Sequence, residues 1–316
     1  MMKKRLWSRW ILALAVVWPC MAAAHDRVRE KENFDFDWKF ILNADDRANA
    51  GMQVSEAGWQ DVQLPHDWSI SQNFDPKLSG SNGHLPGGIG WYRKTFRVDK
   101  KDKGRRIAVL FDGIYSRSDV YVNGQHLGFR PYGFCYQEYD LTPYLNYGAE
   151  NVLAVRVNNP LEHDSVARWY TGAGIYRHTW LVKTAEVHVA SYGTYVTTPV
   201  VTAERAEVRV RTSVANEAKR TKTLSVRQQI TDGEGRTVVQ SGKQTLQVAA
   251  GQTADTEHTL EIPRPQLWDT EHPYLYTLHT AVYDGRKLVD TYETVFGVRT
   301  CEFTSDRGFL LNGKPL

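Results

Sequence analysis

Cysteine is close to absent in this chain, with three among 316 residues, at positions 20, 135 and 301. Thiols so few and so far apart build no disulfide framework, so the fold has to rest on packed cores. A surplus of one charge is also missing. Lys and Arg total 39 against 36 Asp and Glu, and Lys3, Lys4, Arg5 and Arg9 all fall in the first 24 residues. The remainder carries 35 basic against 36 acidic groups. With no basic cluster interleaved with aromatics, nothing electrostatic drives nucleic-acid binding. Long hydrophobic runs are lacking too: Trp10 to Val17 is too short to cross a bilayer, and no 18-residue apolar stretch follows it, so no membrane span is expected. Several catalytic signatures are missing as well, namely G-x-S-x-G, H-E-x-x-H, paired C-x-x-C and a phosphate-cradling loop. Gly172-Ala173-Gly174 opens like a dinucleotide fingerprint, but Arg177 stands where the third glycine belongs. Neither an organic cofactor nor a metal is implied.

What is present begins with a secretory pattern. The basic residues at 3, 4, 5 and 9 precede the apolar run, and Ala22-Ala23-Ala24 offers a small-residue cleavage site before His25. Residues 1–24 therefore read as a signal peptide, and the mature protein as secreted or periplasmic. Lipid anchoring at Cys20 is the lesser alternative, because Pro19 precedes it where a small residue belongs.

The rest reads as all-β. From Phe34 to Val182, short alternating runs separated by turn residues predict antiparallel sheets. Ile107, Val109 and Phe111 share one strand face, and Leu153, Val155 and Val157 alternate with Ala154 and Arg156 as a half-buried strand. Asn123-Gly124 between Val120-Tyr121-Val122 and Gln125-His126-Leu127 is the strongest hairpin signal, because a type I′ turn needs positive φ at both central positions. A second unit follows from about Ala185 to Val298. There Val208-Arg209-Val210-Arg211 alternates, Asp232-Gly233-Glu234-Gly235 marks a turn, and Tyr274, Tyr276, Leu278, Thr280 and Val282 line one face of a long strand. Turns every 8 to 12 residues fit an immunoglobulin-like sandwich.

The richest stretch chemically is Arg168-Trp169-Tyr170-Thr171-Gly172-Ala173-Gly174-Ile175-Tyr176-Arg177. Aromatic faces stack on the apolar face of a pyranose, and a guanidinium fork serves hydroxyls or a carboxylate. The same glycines also suit a tight turn packed by core aromatics. His66-Asp67 is similarly double-valued, as a ligand-binding dyad or as a self-satisfied turn bracketed by Leu64 and Trp68, the latter being the favoured reading. The loop from Ser79 to Gly90, rich in Gly, Ser and Asn, brings no dedicated chemistry of its own.

Other motifs set this stretch in order. Leu64-Pro65-His66-Asp67-Trp68, Gly90-Trp91-Tyr92-Arg93-Lys94-Thr95-Phe96, Phe111-Asp112-Gly113, Val120-Tyr121-Val122-Asn123-Gly124, the Arg168 segment, Leu267-Trp268-Asp269 with His272-Pro273-Tyr274-Leu275-Tyr276, and Phe296-Gly297-Val298-Arg299 follow one another along the chain. The set resembles glycoside hydrolase family 2, the group of β-galactosidases, β-glucuronidases and β-mannosidases, from about Trp38 to Leu316. The resemblance implies a jelly-roll sugar-binding domain over residues 25–184 and an immunoglobulin-like β-sandwich over 185–298. Residues 299–316 become the lead-in to a catalytic (β/α)₈ barrel. Retaining glycosidases use two carboxylates about 5 Å apart, and the resemblance places both on that barrel, so no catalytic residue is assigned within this sequence.

The resemblance also implies that the first domain lends polar side chains to the rim of the barrel's pocket. Two departures stand out. Lactose-cleaving members carry an Asp nine residues before the Arg of Gly-Ile-x-Arg, and that position is Arg168 here; the Asn they place before the Gly-x-Tyr strand corresponds to Gly87. The candidate substrate-binding residues are Arg168, Trp169, Asp67 and Asp164, the last as a replacement carboxylate. The expected function is that of the sugar-binding and spacer domains of an exported retaining β-glycosidase, a β-galactosidase first and a β-glucuronidase or β-mannosidase as alternatives. Its partners would be a β-linked glycoside or oligosaccharide and the catalytic barrel, with a homo-oligomer open for the full-length enzyme. A free-standing carbohydrate-binding module is the rival reading, against which Phe309-Leu310-Leu311-Asn312-Gly313-Lys314-Pro315 reads as the opening of a further domain.

Overall fold

The computed structural model describes residues 28–42, 45–78, 80, 83–159 and 169–316. Among these, strands dominate and helical structure is confined to single 3₁₀ turns. The signal-peptide reading of residues 1–24 lies outside the described residues. No helix among them is long and apolar enough to cross a membrane.

The first ten strands are β1 (Glu30–Asn33), β2 (Trp38–Leu42), β3 (Gln60–Val62), β4 (Gly88–Arg97), β5 (Arg106–Phe111), β6 (Ser118–Val122), β7 (Gln125–Arg130), β8 (Gln137–Asp140), β9 (Glu150–Asn159) and β10 (Thr179–Thr184). They form two antiparallel sheets, β3-β2-β4-β9-β6-β7 and β1-β10-β5-β8, facing each other as a jelly-roll sandwich. The core between them holds Trp38, Phe40, Trp68, Tyr92, Ile107, Val109, Phe111, Leu153, Val155 and Val157. The β6–β7 hairpin turns at Asn123 and Gly124 with φ of 52° and 83°, as the dipeptide predicts. The Asn123 side chain also ties the turn to its neighbours. Its Nδ2 donates to Tyr144 O and Asn151 Oδ1, and its Oδ1 accepts from Val152 N.

Simple alternation fails on the two central strands. β9 is buried on both faces, Ala154 and Arg156 included, and so is most of β4. The outer face of this sheet lies beneath residues 45–59. Arg93, 1% exposed, reaches outward from β4 and donates to Glu56 Oε1 and to the carbonyls of Asn49 and Gly51. Arg156 Nε donates to Asp45 at 2.9 Å. Ala50, Trp91, Tyr121 and Ala154 make a small apolar cluster under the same cover. Two arginines here anchor a covering segment instead of facing water.

The second sandwich comprises β11 (Val187–Val201), β12 (Arg205–Asn216), β13 (Lys222–Thr231), β14 (Thr237–Gln240), β15 (Gln244–Val248), β16 (Gln252–Pro263), β17 (Tyr276–Asp284) and β18 (Lys287–Phe296). One sheet runs β11-β12-β16 and the other β14-β13-β17-β18, with β15 also paired to β13. Strict alternation on β12 and β17 sends Val208, Val210, Val214, Tyr276, Leu278 and Val282 inward. The core is split into two apolar clusters by a hydrogen-bonded layer. In it Gln228 Nε2 donates to Thr212 Oγ1 at 2.9 Å and Thr280 Oγ1 donates to Gln228 Oε1 at 2.7 Å. Within the expected lead-in of residues 299–316, a third, three-stranded antiparallel sheet is formed by β19 (Cys301–Thr304), β20 (Gly308–Leu311) and β21 (Lys314–Pro315).

The sandwiches meet on the outer face of the four-stranded sheet. Ala108, Leu110 and Val182 point away from the first core and are still buried. A cleft of 380 Å³ between Leu110 and Val182 on one side and Ser191, Tyr192 and Tyr292 on the other marks the seam. Around it, Tyr192 Oη donates to Asp112 Oδ1 at 3.0 Å, and Arg106 bridges Glu138 of the first unit and Glu217 of the second. Arg29, just ahead of β1, crosses to the second sandwich. Its Nε and Nη2 donate to the two carboxylate oxygens of Asp290 at 3.1 and 2.8 Å, and Asp290 also accepts from Val189 N at 2.7 Å.

Asp290 is fully buried, so Arg29→Ala leaves a desolvated carboxylate without its cation. A loss of about 3–5 kcal/mol is expected, as for other broken buried pairs, and urea unfolding measures it; a loss below about 1 kcal/mol, the surface-pair range, is the contrary result. A second test concerns acid. Burial, then the Arg106 and Arg29 guanidiniums, pull the His188 imidazole down to about 3. Below the usual histidine range near 6.5 the unfolded chain takes up a proton that the folded one refuses. Stability therefore falls as pH drops from about 6.5 toward 3, at up to about 1.4 kcal/mol per unit. His188→Gln should flatten that slope in chemical denaturation curves recorded across the window.

Candidate functional site

At one end of the jelly roll, four backbone segments converge: residues 64–68, the start of β4, the end of β9 and the turn 170–175. His66 N donates to Ile175 O at 2.8 Å and Trp68 N to Ala173 O at 3.1 Å, so the Leu64–Trp68 motif lies along the turn. Trp68 is fully buried, stacked on Phe40 with ring centroids 5.6 Å apart.

Asp67 organises this end. Its Oδ1 accepts from Ser69 N at 3.0 Å and Ala173 N at 2.9 Å, and its Oδ2 accepts from Tyr170 Oη at 2.6 Å. Burial, and then this bond to a carboxylate, push the Tyr170 phenol well above its usual range. Gly172 adopts φ 69°, and a Cβ there would stand 2.6 Å from Asp67 Oδ2, so the residue has both a conformational and a steric reason to be glycine. His66 turns elsewhere: Nδ1 lies 2.8 Å from the hydroxyl of the buried Tyr92, and burial lowers its pKa. The two neighbours therefore have separate partners. Asp67 ties the loop down.

Gly87 has an equally specific cause. A Cβ on it would sit 2.2 Å from Asn159 O, while Asn159 Nδ2 donates to Gly172 O at 3.1 Å. The Asn that lactose-cleaving members place here cannot be seated without moving the end of β9.

Of the four sequence candidates, Asp67 and Trp169 lie among the described residues; Arg168 and Asp164 lie outside them. Trp169 is 60% exposed and its ring lies against Phe134, centroids 6.2 Å apart. Tyr170 is half-exposed beside it. Sequence reasoning missed Tyr170 as the partner of Asp67 and Asn159 as the partner of Gly172, contacts across 103 and 13 positions with no local signature. It also passed over Tyr132 and Phe134, although Pro131-Tyr132-Gly133-Phe134-Cys135-Tyr136 packs three aromatics into a Pro- and Gly-containing loop, a density that was there to see. Among the described residues no group of His, Cys, Asp or Glu is arranged to hold a metal ion. The rim exposes the ring faces of Trp169 and Tyr170, and ring faces of this kind suit the apolar face of a sugar.

Comparison with known proteins agrees with this geometry. The model for the sugar binding domain of glycosyl hydrolases family 2 matches residues 32–185, and a second model of glycosyl hydrolases family 2 matches residues 187–299. The chain belongs to that family. It is 42% identical over 303 residues to the beta-galactosidase BoGH2A of Bacteroides ovatus, covering 93% of this chain and 34% of the relative. It is 34% identical to a beta-glucuronidase of Formosa agariphila, covering 91% and 31%. A crystal structure of a family 2 member from Bacteroides cellulosilyticus superposes with a TM-score of 0.82 at 38% identity, over 90% of this chain and 37% of that one. The chain thus spans about a third of the length of the curated relatives it matches.

Because Asp67 satisfies two backbone amides, Asp67→Ala should cost about 1–3 kcal/mol through the stranded donors. Tyr170→Phe removes one hydrogen bond and should cost about 1 kcal/mol. Thermal unfolding of both variants checks the order; equal and negligible losses would show that the carboxylate does not hold the loop.

Proposed function

We propose that this chain supplies the sugar-binding and spacer domains of an exported retaining β-glycosidase that acts on β-galactosides. The observation that carries the substrate is the 42% identity to a beta-galactosidase, against 34% to a beta-glucuronidase over a similar span. The geometry suits the role: an Asp67-anchored rim presents Trp169 and Tyr170 at one end of a rigid sandwich, where a ring face and hydroxyls meet a sugar. In this reading Trp169 and, from the adjoining segment, Arg168 and Asp164 contact the substrate, while Asp67 holds the turn through Tyr170 and Ala173. The two hydrolytic carboxylates belong to the part of the relatives that this chain does not span, on a barrel for which residues 299–316 are the lead-in. A β-glucuronidase is the second reading, favoured by Arg168, whose guanidinium could pair with a hexuronate carboxylate.

The signal pattern of residues 1–24 supports export, with a mature start at His25. Mass spectrometry of the exported protein checks this, and retention of the leader or a diacylglycerol on Cys20 counts against it. For the activity, the chain alone should turn over neither 4-nitrophenyl β-galactoside nor the β-glucuronide, since it lacks both the acid and the nucleophile. A polypeptide that adds the remaining two thirds of the relatives' length should prefer the galactoside by at least about tenfold in kcat/KM. The opposite preference selects the glucuronidase; turnover that follows the 316-residue chain through purification overturns the domain assignment.

A further inference from the structure

The loop joining β7 to β8 exposes aromatics that no core accounts for. Tyr132 is 62% and Phe134 43% exposed, beside Trp169 at 60%. They are contiguous: the Tyr132 and Phe134 ring centroids lie 5.7 Å apart, those of Phe134 and Trp169 6.2 Å, and Tyr115 supports Phe134 from below at 5.1 Å. Isolated exposed aromatics need no explanation, but a joined patch on a rigid domain does.

The patch is fixed to the rim. Tyr176 Oη donates to Gly133 O at 2.9 Å, and Tyr115 and Gly174 exchange backbone hydrogen bonds at 2.9 and 2.8 Å. The loop carrying Tyr132 and Phe134 is thus tied to the same 170–176 turn that Asp67 anchors. A preorganised surface of this kind loses little conformational entropy when it binds. At half exposure, three rings offer on the order of 350 Å², well short of the roughly 800 Å² per partner that a stable protein interface buries. Two or three sugar units fit that scale.

We propose that Tyr132, Phe134 and Trp169 form a stacking surface for the leaving-group side of a neutral β-linked oligosaccharide. The proposal rests on the rim reading above, in which the terminal sugar lies by Tyr170. The units beyond the scissile bond then lie on the adjoining aromatic faces, whose apolar C–H contacts tolerate any neutral pyranose. The enzyme built on this chain would accordingly favour oligosaccharides over short glycosides.

Saturation-transfer NMR on the 316-residue chain tests this without any turnover, so absence of hydrolysis leaves the readout intact. β-1,4-galactotetraose should receive transfer and bind with a low-millimolar dissociation constant, while galactose should not. Phe134→Ala and Trp169→Ala should each weaken the tetraose at least about fivefold, about 1 kcal/mol. Tyr195→Ala, which removes an equally exposed ring (61%) from the second sandwich, should change nothing. Unfolding midpoints equal to the parent's establish that the variants are folded. No transfer to the tetraose, or transfer that survives both substitutions, overturns the proposal. So does a dimer in sedimentation that Tyr132→Asp dissolves, which would make a second copy the occupant. Loss of tetraose binding in the longer polypeptide overturns it too, because the rest of the chain would then cover the patch.

Discussion

A sheet with apolar side chains on both faces has to be covered twice, and that constraint shapes this molecule. Ala108, Leu110 and Val182 stand on the face of the four-stranded sheet that an independent sandwich would turn to water. Leaving them exposed would forfeit the transfer free energy of their burial. The second sandwich is held there, and the polar contacts around the seam, Arg29 with Asp290, Arg106 with Glu138 and Glu217, and Tyr192 with Asp112, give the joint direction as well as contact. The six-stranded sheet meets the same constraint differently, by drawing residues 45–59 over Trp91 and Ala154 with Arg93 as the anchor.

The rim's segments are remote in sequence, and they are joined by core packing of Leu64, Trp68, Ala173 and Ile175 together with hydrogen bonds through a carboxylate, a carboxamide and backbone amides. A carboxylate placed in a sugar-binding domain invites the reading that it touches the sugar. Here its two oxygens accept three hydrogen bonds from the loop itself, so it shapes the loop whatever else it meets. The relatives are about three times as long as this chain, and a surface held by fixed hydrogen bonds has few groups free to move.

Much of the fold was legible in the sequence wherever a strand has one wet face. β12, β17 and the Asn123-Gly124 hairpin follow from period-two alternation and turn chemistry alone. β9 was legible as a strand but not as one buried on both faces, and the double covering of β4 and β9 left no sign in the alternation. An arginine such as Arg93 also gives no hint that it will be 1% exposed. At the site, the glycines at 87 and 172 and the aromatics around 169 stood out locally. The bonds that give them meaning, Asp67 with Tyr170 and Asn159 with Gly172, depend on which strand ends meet. That is a property of topology, which no window of residues contains.

The polar layer of Thr212, Gln228 and Thr280 contributes little net energy, since each hydrogen bond replaces one to water. Its consequence is selectivity among pairings. Long strands rich in valine and threonine can slide by two residues and still keep every apolar side chain inward. Such a slip in β12, β13 or β17 would set the Gln228 carboxamide against valine or leucine and break at least one of its two hydrogen bonds in a dry interior. The three residues act as a key that admits one alignment of the second sandwich and rejects its near neighbours.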